Sequence, residues 1–146
     1  MASLTSSPSA VSGRLDLALL IFRIAGALVF LYHGSAILFG AFGGPGIHGF
    51  AGFMHTPLIV GFLVGLAQFA GGLALLTGAL VRVGALCIMI VMAGAIFLVH
   101  LPHGFNLANN GIEYALTQFL LSLGLFLTGG GSYSLAGILP PALRKL

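Results

Sequence analysis

Charge is what this sequence has least of. Its 146 residues include two acidic and five basic side chains, 5% of the chain, against 59% hydrophobic residues. Soluble domains carry roughly a quarter charged residues to meet water. With a mean hydropathy of +1.17, a water-soluble globule is excluded. The length and composition describe an integral membrane protein of one small domain. Tryptophan is absent, and Cys87 is the single cysteine. A lone cysteine within an apolar run cannot form an intrachain disulfide and behaves as a small buried residue. Phosphate loops, dinucleotide fingerprints and nucleophile elbows are missing too. The glycine-rich "GAFGGPGIHGFAGF" at 40–53 lacks the strand-turn-helix setting of a nucleotide cradle and reads as a flexible or re-entrant loop. Five basic residues are too few for a nucleic-acid surface, so the lipid bilayer is the partner to consider first.

What is present in quantity is apolar length. Four stretches, 16–39, 58–79, 83–101 and 112–129, qualify within error for the about 20 residues that cross the hydrocarbon. Nothing alternates with the period of two that a barrel requires, and open strands would leave backbone groups unpaired in lipid. The expected fold is an all-α membrane protein, a four-transmembrane-helix bundle over residues 14–135. Residues 1–13, rich in Ser, Ala and Thr, are expected to form a flexible cytoplasmic tail, and residues 136–146 a short basic one. The first run is too long for a cleaved signal peptide, carries Arg23, and has no small-x-small end.

The few basic residues set an orientation. Arg14 precedes the first stretch, Arg82 lies between the second and third, and Arg144 and Lys145 follow the fourth. In a four-span topology these share one side, while residues 40–57 and 102–111 hold no Lys or Arg. The positive-inside rule then places both termini in the cytoplasm, N-in and C-in, for a multi-pass protein of the inner (plasma) membrane.

The remaining polar residues gather at the opposite end. "VHLPHGFNLANNGIEY", residues 99–114, holds His100, His103, three asparagines and Glu113. His48 and His55 belong to the loop at 40–57, and His33 to the same half of the first span. At 100° per residue, Arg23, Gly26, Phe30, His33 and Ile37 fall within an arc of about 80°. Gly61, Gly65, Gln68 and Gly72 share a stripe on the second span, where GFLVG makes a small-xxx-small contact. Ala85, Met89, Ala93, Ile96 and His100 align on the third, and Glu113, Thr117, Gly124 and Thr128 roughly do on the fourth. These faces are expected to turn inward around a polar interior open toward the histidine end.

Each polar group has a plainer alternative. Asn110-Gly-Ile-Glu113 has capping-box spacing, so Glu113 can serve the start of the fourth span. Arg23 can snorkel to the inner headgroups, and Gln68 can be interhelical glue. His48, His55 and His103 read as solvated loop or interface residues. His33 and His100 are harder to dismiss, because ionisable groups within a span are costly and usually face a cavity. No HxxxH or CxxCH spacing supports a metal or haem site, so no metal is expected.

"FLYHGSAILFG" at 30–40, "AGFM" at 51–54, "AGGLALLTGALVRVGAL" at 70–86, "FLVHLPHGF" at 97–105 and "GIEYAL" at 111–116 together resemble the DoxX family of small four-span membrane proteins. The resemblance runs from Arg14 to about Leu135. It implies a link to membrane redox complexes, since some members are similar to the quinone-reducing subunit of thiosulfate:quinone oxidoreductase. Two positions depart from the family pattern: Ile37 stands where a lysine is common, and Gln68 where an acid is common. Both changes remove charge from inward stripes, which neutralises the middle of the bundle.

The resulting expectation is an accessory or quinone-proximal subunit with membrane-protein partners. His33 and His100 would exchange protons with a quinol headgroup, Glu113 would orient one imidazole, and Arg23, His33, Gln68, His100 and Tyr114 would line the cofactor site. Imidazole suits proton exchange because its pKa lies near neutrality. Two further classes stay open: a purely structural subunit holding neighbours, and a carrier or receptor for a small hydrophobic molecule. A quinone role requires a lipid-accessible slot near His33 and His100. A structural role requires a packed interior.

Overall fold

A computed structural model describes residues 8–144 and residue 146. Five α-helices carry the fold: α1 (Pro8–Phe39), α2 (Gly46–Phe53), α3 (Leu58–Thr77), α4 (Val81–Ala95) and α5 (Glu113–Thr128). α4 runs on through a π-helical turn, Ile96–His100, and a 3-10 turn, Leu101–His103. No strand occurs among the described residues. α1 packs on α3, α3 on α4, α4 on α5, and α5 returns to α1, while α2 lies across α1 and α3. The connections bring Arg82 and the residues after α5 together at one end, here the basic end. They leave the five histidines toward the other, the histidine end.

Three helices are long and apolar enough to cross a bilayer: Ser12–Phe39, Leu58–Thr77 and Val81–His103. α5 is apolar but has only 16 residues, about 24 Å of helix against about 30 Å of hydrocarbon. The fourth expected stretch is therefore a helix of less than spanning length. Two tails also differ from expectation. α1 begins at Pro8, so residues 8–13 are wound into the helix, whereas residues 1–7 lie outside the described residues. After α5, 3-10 turns at Leu135–Ile138 and Pro141–Leu143 lead to Leu146, whose main-chain oxygen accepts from the Arg82 and Val83 amides. That contact covers N–H groups that the first turn of α4 leaves without helical partners.

The bundle is apolar on its outside. Leu28, Ile90 and Leu127 are about two-thirds exposed, as lipid-facing residues should be. Inside, Phe30, Leu75, Ile88 and Leu125 are almost wholly buried, interleaved with small residues. The stripe of Gly61, Gly65, Gln68 and Gly72 on α3 is buried. Its glycines bring α1 and α3 into near backbone contact: a Cβ on Gly34 would stand 2.7 Å from the Phe69 Cα.

Two expected faces are turned. α4 buries Val81, Gly84, Ala85, Ile88 and Met92 and leaves Met89 and Ala93 half-buried. The close approach of Gly84 to Gly71 sets that rotation. On α5, Glu113, Thr117, Gly124 and Thr128 are exposed, while Ala115, Ser122 and Leu125 are buried. The threonine hydroxyls donate to Glu113 and Gly124 carbonyls of their own helix, both at 2.8 Å. They can therefore face lipid without a cost that would draw them inward.

Gly34→Leu should lower stability by about 1–3 kcal/mol through overpacking at the α1–α3 crossing. Gly124→Leu, where a Cβ meets nothing within 4 Å, should not. Thermal unfolding in detergent compares the two, and equal midpoints would refute the close-packed crossing.

Candidate functional site

The two ends of the bundle do different things, and Arg23 defines the first. It is 1% exposed, yet no carboxylate meets it. Nε donates to the Leu75 carbonyl at 2.8 Å and Nη2 to that of Leu76 at 3.1 Å. Nη1 donates to Gly130 at 2.7 Å and to Tyr133 at 2.5 Å. Leu75 and Leu76 lie in the last turn of α3, where carbonyls lack helical partners and the helix dipole is negative. Gly78 ends that helix at φ 77°, and a Cβ there would collide with the guanidinium. Arg23 thus neither snorkels to headgroups nor faces a ligand, because backbone oxygens already occupy all three of its nitrogens.

Asp16 adds a second clasp at this end. Its carboxylate accepts from Ser132 N at 3.0 Å and Ser132 Oγ at 2.7 Å. Arg82 donates to the Leu127 carbonyl at 3.3 Å, at the C-terminus of α5. The basic end is held together by these contacts, around a smaller cavity of about 240 Å³ bordered by Arg82, Gly129 and Arg144.

The histidine end is more open. A cavity of about 450 Å³ opens there, walled by α1, α3, α4 and α5 and roofed by Phe50, Phe53 and Met54 on and just after α2. His33, Gln68, His100 and Tyr114 all border it. Among the described residues, no Asp, Glu, Lys or Arg does. Four of the expected cofactor-site residues therefore share one chamber, and Arg23 is not among them.

His33 is exposed into this space from α1. Its ring stands edge-on to Tyr32 at 5.4 Å and 6.4 Å from the Tyr114 ring. His100 sits at the end of the π-helical turn, a distortion frequent at functional sites. Its Nδ1 lies 2.8 Å from the Asn110 carbonyl. A carbonyl can only accept, so Nδ1 carries the proton and the neutral ring keeps Nε2 as an acceptor. Asn110 adopts φ 63°, a conformation asparagine tolerates. Gln68, 5% exposed, has no hydrogen-bond partner among the described residues.

Glu113 departs from both sequence readings. Its Oε2 accepts from the Leu107 amide at 3.0 Å, and it does not border the cavity. α5 has Ile112 as its N-cap without a side-chain cap, so the capping box does not form. The Asn110 carbonyl, and not Glu113, orients an imidazole. Glu113 instead knits the 104–113 loop, alongside backbone bonds from Ile112 to Gly104 and from Glu113 to Phe105. His48, His55 and His103 are exposed, with His103 Nδ1 at 3.0 Å from the Val99 carbonyl.

The sequence reading missed the roof. Residues 40–53 contain α2, and Ile47, Phe50, Ala51 and Met54 follow i, i+3, i+4, i+7 spacing. The glycines between them, poor helix formers, obscured that signal. Chemically, the chamber can hold an apolar body and present a neutral amide, a phenol and two imidazoles to a polar head.

Glu113→Gln keeps an oxygen acceptor for Leu107 and should leave loop protection unchanged, whereas Glu113→Ala should free that amide. Hydrogen exchange at Leu107 checks this. Comparable deprotection in both variants would instead assign the role to the negative charge.

Neither the curated proteins nor the solved structures include a match to this chain. The family model DoxX matches residues 18–101, more than half of the chain, and this segment runs from about the third turn of α1 through α4 and the π-helical turn that ends at His100. The chain belongs to the DoxX family.

Proposed function

We propose that this DoxX-family membrane protein is a quinone-proximal accessory subunit of a membrane redox complex, with both termini cytoplasmic and α5 completing a fourth, short crossing. The observation that carries the reading is the cavity at the histidine end. A packed interior would suit a purely structural subunit, but this bundle holds about 450 Å³ of space bordered by His33 and His100. In the proposed role a quinol head lies among the two imidazoles, Tyr114 and Gln68, with its apolar tail along the walls. In quinol oxidation Nε2 of His100 would accept one hydroxyl proton and the His33 imidazole the other, while the two electrons would leave to an acceptor on a partner protein. Imidazole can return those protons near neutral pH.

The topology has its own support. α5 reaches from the 104–113 loop at one end to the Arg82 contact at the other. Local bilayer thinning accommodates a short helix at modest cost. Single cysteines at positions 82, 109 and 144 in a Cys87→Ala background should react with an impermeant thiol reagent in intact cells only at 109. Labelling at 82 would overturn the orientation.

The ligand reading is tested by gentle purification and quinone extraction. The wild-type chain should retain quinone above the lipid background, and a His33→Leu/His100→Leu variant of unchanged elution profile should lose most of it. Quinone at background level in the wild type, or equal retention by both, would refute the reading.

A further inference from the structure

Gln68 and Thr56 on the cavity wall both lack a hydrogen-bond partner among the described residues, Thr56 at its Oγ1. Gln68 is 95% buried by the 5% it exposes, its side chain borders the cavity, and no described residue pairs with it. Thr77, Thr117 and Thr128 each donate to a carbonyl of their own helix, whereas Ser122 Oγ and Gln118 Oε1 are buried without a partner away from this cavity. A buried amide without partners is costly and calls for a ligand or water.

The rim of the same cavity shows where a ligand could pass. α3 and α4 touch through Gly71 and Gly84 toward the basic end. Toward the histidine end, Val64 and Gln68 of α3 and Ile90 and Gly94 of α4 border open space instead. Three rim residues are large, apolar and exposed: Ile90 at 65%, Leu98 at 77% and Phe53 at 75%. Such a rim faces hydrocarbon at no cost and would deter a charged visitor. The wall, moreover, carries no Asp, Glu, Lys or Arg among the described residues to balance a charge once inside.

We infer that an uncharged amphiphile enters this cavity sideways from the bilayer, between α3 and α4, and that the Gln68 carboxamide receives its hydrogen-bonding head. An amide both donates and accepts, so hydroxyl and carbonyl heads fit it. Sulfonate and quaternary ammonium heads do not, because no Asp, Glu, Lys or Arg among the described residues lines the chamber to offer a permanent counter-charge. The inference rests on the cavity being a ligand site, as proposed above, but not on the ligand being a quinone.

Photolabelling of the full chain in lipid nanodiscs tests it. Three probes of equal chain length carry a diazirine beside the head: a primary alcohol, an alkyl sulfonate and an alkyl trimethylammonium. The alcohol should label cavity residues around Gln68 at least about tenfold more than either charged probe. Gln68→Met should lower that labelling by about tenfold. Gly94→Trp should block it, since a Cβ at Gly94 meets nothing within 4 Å and the ring can fill the mouth without displacing the helices. Size-exclusion profiles and circular dichroism establish that both variants are folded, and the probe series on the wild type is decisive even if one is not. Equal labelling by all three probes, labels confined to residues 101–112, or full labelling of folded Gly94→Trp would overturn the inference. Decylubiquinone separates the two proposals. If it fails to compete while the alcohol pattern holds, the quinone reading falls and this inference stands. If quinone is retained but the alcohol pattern is absent, this inference alone falls.

Discussion

The buried guanidinium of Arg23 is the contact on which the rest of the bundle depends. It joins α1 to the last carbonyls of α3 and to the Gly130 and Tyr133 carbonyls beyond α5. These are segments distant in sequence that otherwise meet through apolar packing and, between α1 and the segment after α5, through the Asp16–Ser132 bonds. In lipid such packing has no hydrophobic drive, because the tails are as apolar as leucine. A charged hydrogen-bond donor held by helix-end carbonyls is therefore worth more here than an additional apolar contact. It also explains how a cation can be buried without an acid: the C-terminal turn of α3 supplies the negative pole.

Clasping the helices at one end in this way leaves the other free to hold the larger cavity. Asp16, Arg23 and Arg82 all act at the basic end, and at the histidine end the polar contacts hold a loop together instead of joining helices. Glu113 binds Leu107 and His100 binds Asn110, both within the connection from α4 to α5. α3 and α4 are drawn together at Gly71 and Gly84 but not beyond, and the cavity occupies the resulting gap. The two departures from the family pattern, Ile37 and Gln68, both border that cavity, which makes it neutral. An uncharged ligand is the consistent occupant.

Much of this was legible in the residues. Apolar length located the helices, and the glycine stripe of α3 gave its buried face, because a helix that approaches another closely must present small residues there. Phase put His33 and Gln68 on inward stripes and depth put His100 near His33, whereas Tyr114 entered only with the family resemblance. What failed did so for identifiable reasons. Arg23 shares the inward arc of His33, and phase alone cannot tell that backbone oxygens saturate it. Thr117 and Thr128 looked like inward polar groups because hydropathy does not register a hydroxyl bonded to its own helix. Glu113 had the spacing of a capping box, but its carboxylate reached back six residues instead of three. α2 was hidden by glycines whose low helix propensity is overridden by packing on α1 and α3.

Hydrogen exchange on the full chain in lipid nanodiscs, compared between wild type and Arg23→Lys, tests the division between the ends most directly. Lysine has a single nitrogen and cannot reach carbonyls on both α3 and the segment after α5. Exchange should rise in residues 76–83 and 125–134 while the 104–113 loop keeps its wild-type protection. An equal rise at both ends, or no rise at all, would contradict the claim that Arg23 holds the basic end independently of the cavity.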